Sequence, residues 1–180
     1  MKKLSMDELN RLSVEEFKQM DKTPLVLVLD NVRSLNNVGS SFRTADAFRL
    51  EKIMLCGITG TPPNREIQKT ALGATESVTW EHIPTTLEAV EKLRAEGYII
   101  IAIEQVDKSQ MLQDFMPEHG GKYALIFGNE VFGVEEQVIH TADHVLEIPQ
   151  IGTKHSLNIS VTMGIVIWDF MNKSGYLKQV

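Results

Sequence analysis

Apolar residues gather in short uninterrupted runs along the chain, at Leu25 to Leu29 (LVLVL), Lys52 to Cys56, Tyr98 to Ile103, Tyr123 to Phe127 and Val145 to Ile148. Runs of this length without polar alternation, rich in β-branched residues and closed by Pro, Gly, Asp or Asn, predict strands buried on both faces. Between them the spacing turns helical, at about Val38 to Phe48, Thr85 to Glu96 (Leu87, Val90 and Leu93 on one face) and Glu135 to Thr141. The alternation predicts an α/β domain, a mostly parallel sheet flanked by helices. A last helix, from about Leu157 to Asn172, is apolar around most of its circumference, so it needs a central position or cover from a second subunit. Upstream, Ser5 with Glu8 and Ser13 with Glu16 form two S-x-x-E signatures, which predict a helical arm over Met6 to Met20 ending before Thr23-Pro24. The segment Gly60 to Asn64 (GTPPN) reads as a surface loop. The expected organisation is an arm at 1–22, one domain at 23–172 and a tail at 173–180.

Composition narrows the class. The chain has 180 residues, 43% hydrophobic and 23% charged, the profile of an ordinary globular domain. Cys56 is the single cysteine, so no internal disulfide forms, which fits a reducing cytoplasm. No stretch approaches the roughly 18 apolar residues of a membrane span, and the first residues turn acidic at once where an export signal needs an apolar stretch. The formal net charge of −6 argues against long, sequence-blind attachment to nucleic acid, while a local basic cleft stays open. His140 and His144 are spaced i, i+4, but HTADH lacks the glutamate of the zinc-binding pattern and spans a helix end, so no metal is expected.

Open α/β sheets place ligands beyond the carboxyl ends of their strands, and three segments that follow strands are unusual. The first is DNVRSLNNVGSSFRTADAF from Asp30, with Asn37, Gly39 and Arg43; its bland reading is a loop, a helix cap and a surface arginine. The second is FGNEVFGVEE at 127–136, whose glycines would let backbone approach a ligand closely. The third is EIPQIGTKHSLNISVTMGIVIWDF at 147–170, where Ser156, taken alone, reads as an N-cap.

Together these segments resemble the three signature motifs of the SpoU or TrmH family of RNA ribose 2′-O-methyltransferases, within the knotted SPOUT superfamily. Asn37, Gly39, Arg43, Thr44 and Ala45 match the first motif at its spacing. Phe127, Gly128, Asn129, Glu130 and Gly133 are similar to the second. Ile148, Pro149, Gly152, Ser156, Leu157, Asn158, Ser160 and Val161 match the third. KTALGA at 69–74 is similar to an intermotif segment, and the resemblance runs from about Leu25 to Phe170. It implies a C-terminal deep trefoil knot, S-adenosylmethionine bent into that knot, and a homodimer whose interface covers the apolar last helix. Periodicity alone would never suggest a knot.

The resemblance also assigns roles. Arg43 corresponds to the family's catalytic arginine; because a guanidinium stays protonated, electrostatic work on a phosphate and a developing alkoxide suits it better than service as a general base. Asn37 would orient Arg43 or the ribose, and Glu130 would order the arginine or complete the interface, its bland reading being a structural carboxylate at a helix start. Ser156 and Asn158 would lie between cofactor and target nucleotide. Gly128, Ile148 and Leu157 match the positions that hold the adenosyl portion, largely through main-chain groups, and Glu104 and Gln105 would be their neighbours. Arg33, Arg49, Arg65, Lys69 and Lys154 are candidate RNA contacts, each equally readable as a solvated charge. The expected activity is ribose 2′-O-methylation of tRNA or rRNA, with tRNA slightly favoured because no separate RNA-binding domain precedes the motifs. The rival reading is a noncatalytic RNA-binding or assembly protein that keeps the knotted dimer. Base methylation lacks support in these motifs.

Overall fold

The computed structural model describes residues 1–5, 8 and 11–179. Among these residues seven strands form one wholly parallel sheet: β1 (Thr23–Asp30), β2 (Leu50–Cys56), β3 (Trp80–Ile83), β4 (Ile99–Ile103), β5 (Gln110–Met111), β6 (Tyr123–Phe127) and β7 (His144–Glu147). Their order is β3-β2-β1-β6-β4-β7-β5. The chain lays β1, β2 and β3 toward one edge, then crosses back to place β4 on the other side. There β6 inserts between β1 and β4. The helices are α1 (Val14–Gln19), α2 (Leu35–Ala47), α3 (Arg65–Ala71), α4 (Ala74–Ser77), α5 (Thr86–Ala95), α6 (Glu136–Thr141) and α7 (Ile159–Lys173).

The two-residue period of a strand sorts its side chains between two cores. Leu25, Leu27 and Leu29 of β1, with Leu125 and Phe127 of β6, face α1, α2, α3, α4 and α7. Val26 and Val28, with Ala124 and Ile126, face α5 and α6. Both faces are thus covered, which is why the central runs are continuously apolar. Cys56 is one of these core residues, and burial pushes its thiol up to about 12.

The structure departs from the sequence expectations at particular points. Among the described residues of the arm expected over Met6 to Met20, the α-helix is Val14–Gln19, where Ser13 and Glu16 form a reciprocal capping box. Met6, Asp7, Leu9 and Asn10 lie outside the described residues, although Ser5 and Glu8 exchange the same pair of bonds. The short strands β3 and β5 and the helices α3 and α4 carry no counterpart in the expectation. The cap of α7 is Asn158, whose side chain accepts from Ser160 N–H, and not Ser156. Among the described residues no helix is long and apolar enough to cross a membrane.

Candidate active site

The carboxyl end of β1 is locked by a buried polar knot of hydrogen bonds. Asp30, fully buried, accepts at Oδ1 from Thr86 Oγ1 (2.5 Å) and Asn31 Nδ2 (2.9 Å), and at Oδ2 from the Glu135 N–H (2.8 Å). Asn31 takes a left-handed conformation (φ 54°) and its Oδ1 accepts from the Ile58 N–H. These bonds satisfy a carboxylate that would otherwise be costly to bury, and they tie the starts of α5 and α6 to the loop that enters α2. Gly39 lets α2 lie directly on α3: a Cβ there would sit 2.2 Å from the Ile67 carbonyl oxygen.

Beside this loop, the segment after β6 closes into a tight turn. Asn129 and Gly133 exchange both backbone hydrogen bonds at 2.9 Å. Asn129 Oδ1 also accepts from the N–H groups of Val131 (2.8 Å) and Phe132 (3.2 Å), and its Nδ2 donates to the Asn31 carbonyl (2.7 Å). Gly133 adopts φ 71°, and a Cβ on it would strike the Glu104 carboxylate. Glu104, from the end of β4, accepts from the N–H groups of Val134 and Gln105 at 2.9 Å.

Glu130 joins the two segments. One carboxylate oxygen accepts from the Arg33 N–H (3.0 Å), the other from the Ser34 N–H (3.0 Å) and Asn37 Nδ2 (2.9 Å). Partial burial works against its ionisation, but the bonds from Asn37 and from the Arg33, Glu130 and Ser34 backbone outweigh it and hold its pKa below the ordinary value. Asn37 is itself buried and accepts at Oδ1 from Asn158 Nδ2 at 3.4 Å. One chain of contacts therefore runs from the β6 turn through α2 to the cap of α7.

The ends of β4, β6 and β7, the turn at 128–133 and the stretch leading into α7 enclose a cleft of about 490 Å³. Of the residues expected in the site, Gly128, Glu130, Ile148, Ser156, Leu157 and Asn158 line it, and so do Glu104 and Gln105. Asn37 stands behind it through Glu130. Arg43 does not line this cleft. It is exposed on α2 and borders a separate apolar groove of about 560 Å³ formed with Phe48, Gly164, Ile165 and Trp168. Asn129 and Asn31 were missed as organisers because their role rests on backbone partners that no side-chain spacing reveals. Among the described residues no group of His, Cys, Asp and Glu could hold a metal ion; His140 pairs with Glu136 and His144 packs edgewise on Phe115.

A family model described as the SpoU rRNA Methylase family matches residues 24–168. The 23S rRNA (guanosine-2′-O-)-methyltransferase RlmB of Neisseria meningitidis is 27% identical over 159 residues, covering 88% of this chain and 62% of that protein. The chain thus spans less than two thirds of the length of the curated relatives first matched. An AdoMet-bound rRNA methyltransferase from Sinorhizobium meliloti superposes with a TM-score of 0.77 at 24% identity, over 87% of this chain and 59% of that one. A TrmH/SpoU tRNA modifying enzyme of A. aeolicus gives 0.80 at 22% identity, over 92% and 82%.

Proposed function

The chain belongs to the SpoU rRNA methylase family, and from that premise we propose that it transfers a methyl group from S-adenosylmethionine to a ribose 2′-hydroxyl of rRNA. The observation that carries this reading is that the second and third motif segments line one cleft while the first braces it from behind, Asn37 bonding both Glu130 and Asn158. The relative named above is a 23S rRNA enzyme, which favours rRNA over the slight preference for tRNA drawn from the sequence. A cytoplasmic location and the noncovalent knot of the C-terminal segment, implied by the resemblance, belong to the same proposal.

The cleft suits the cofactor. Its volume falls within the roughly 300–1,000 Å³ of small-molecule sites, and its wall combines apolar Ile103, Phe127, Ile148 and Leu157 with backbone at Gly128. Bound there, S-adenosylmethionine supplies a sulfonium methyl open to attack by an oxygen nucleophile. Gly128, Ile148 and Leu157 hold the adenosyl portion, while Ser156 and Asn158 offer a hydroxyl and an amide to the ribose. Glu130 is fully engaged by donors and its pKa is depressed, so it acts as a brace that sets Asn37 and the α2 entry, not as a proton acceptor. Arg43 supplies fixed positive charge beside the 2′-oxygen, stabilising the developing alkoxide and gripping the neighbouring phosphate, which takes up the hydroxyl proton as S-adenosylhomocysteine leaves.

Because Arg43 borders the α7 groove and not the cleft of its own chain, we infer that it serves the partner's cleft in a homodimer. The outward face of α7 presents Val161, Ile165 and Trp168 to solvent, with Trp168 53% exposed, and Arg43 lies along the same groove. Pairing two copies through this face buries it and carries each Arg43 toward the partner's cleft. The test is transfer of labelled methyl from S-adenosylmethionine to purified rRNA and tRNA fractions. Label in rRNA, lost in Arg43→Ala while dimer and cofactor binding persist, is the expected result. Cofactor binding with no transfer to either RNA would favour the noncatalytic reading.

A further inference from the structure

The turn after β6 carries a second feature that the bracing of the cleft does not use. Phe132 lines the cleft mouth and is 83% exposed. Val131 beside it also lines the mouth and is 66% exposed, so two apolar side chains stand open together there. Nor is the ring at the end of a loose loop. Its own N–H and that of Val131 are bound by Asn129 Oδ1, and the flanking Asn129–Gly133 backbone pair closes the turn beneath it. Glu104 fixes the next residue, Val134, from the other side. The ordering cost of presenting the ring has therefore been met by the fold.

Its surroundings are those of a nucleic-acid contact. Arg33 is exposed, and its N–H is bound by Glu130 only two residues from Phe132 in sequence. Among the described residues its guanidinium makes no ion pair. An exposed ring and an exposed arginine whose backbone is tied to the same turn are a combination that suits single-stranded RNA, bases stacking on the ring while cations follow the phosphates.

We propose that Phe132 is a stacking platform for an unpaired nucleobase of the RNA substrate, holding the strand at the cleft mouth with Arg33 on the adjoining phosphate. The proposal rests on the RNA methyltransferase reading and adds to it a single-stranded target and a residue that sets affinity for RNA. Base stacking on an aromatic side chain is sequence-tolerant, so Phe132 fixes position and not base identity.

The experiment compares wild type with Phe132→Ala, Phe132→Leu and Phe132→Trp, using fluorescence anisotropy of a short fluorescein-labelled single-stranded RNA of mixed sequence. S-adenosylmethionine calorimetry and sedimentation velocity are run on the same samples. Phe132→Ala and Phe132→Leu should weaken RNA binding about 5- to 150-fold, the range set by loss of one stacked base, while Phe132→Trp stays near wild type. Cofactor affinity and oligomeric state should not change. Unaltered RNA affinity in the alanine variant overturns the proposal. So does loss confined to cofactor affinity, which would put the ring on the adenine, or dissociation to monomers, which would put it in a subunit interface. RNA binding needs no turnover: RNA affinity that depends on Phe132 without methyl transfer would remove the enzymatic reading and leave the platform standing.

Discussion

Replacing Gly128 by alanine should cost the protein both stability and its cofactor site. A Cβ at this position would lie 2.0 Å from the Gly133 carbonyl carbon, 2.1 Å from the Val134 nitrogen and 2.3 Å from the Gly133 oxygen. Carbon atoms settle at about 3.5–4.0 Å, so the 133–134 backbone must retreat by more than an ångström. That retreat stretches the two 2.9 Å bonds between Asn129 and Gly133 and the 2.9 Å bond from Val134 to the Glu104 carboxylate. Neutral bonds of this kind contribute about 0.5–1.5 kcal/mol each and one to a charged group about 1.5–3, so the partial loss of all three amounts to roughly 2–4 kcal/mol. The same movement shifts a wall of the cleft. Urea denaturation should show that loss, and calorimetry should show S-adenosylmethionine affinity falling at least about tenfold. Gly152→Ala, where an added Cβ meets nothing within 4 Å, is the control and should stay within about 0.5 kcal/mol of wild type. If Gly128→Ala also stays there with cofactor affinity intact, the turn is soft and the close approach has no structural consequence.

Other substitutions probe separate parts of the account. Leu157→Arg places a charged, longer side chain in the cleft wall and should abolish S-adenosylmethionine binding by calorimetry while circular dichroism stays native; unchanged binding removes Leu157 from the cofactor pocket. Trp168→Glu puts a charge on the outward face of α7 and should shift sedimentation from dimer to monomer, since buried tryptophans commonly carry about 2 kcal/mol or more of an interface; an unshifted dimer would place the interface elsewhere. The folded-state pKa of Glu130 lies below its ordinary value of 4.5, so its contribution is complete above that pH and is lost as pH falls through the depressed value. Wild type should accordingly lose more thermal stability on acidification below pH 4.5 than Glu130→Gln does, and equal losses would contradict the brace.

The parts of the fold that the sequence disclosed are those whose residues answer to burial alone. LVLVL and YALIF lie at the sheet centre with helices on both faces, so every position is apolar and the strand is legible. Trp80–Ile83 is an edge strand whose residues are only partly covered, and Gln110–Met111 is too short for any period; neither leaves a hydrophobic trace. Helix α3 is capped by Asn64, the last residue of what reads as a Pro-containing loop. For the site, the motif residues around Gly128, Glu130 and Leu157 were legible through family resemblance. The bonds that organise them were not: Asn31, Asn129 and Glu104 act on main-chain N–H and C=O groups brought near only by the order of the strands. Arg43 shows the opposite limit, a residue marked by its motif but standing on α2 away from its own cleft.

The most direct test of the central claim is the chemical identity of the product. RNA methylated by this protein with labelled S-adenosylmethionine would be digested completely to nucleosides and analysed by mass spectrometry. The account predicts that the label resides in a 2′-O-methylnucleoside and disappears with Arg43→Ala. Label on a base, or a 2′-O-methylnucleoside formed undiminished by the Arg43 variant, would contradict it.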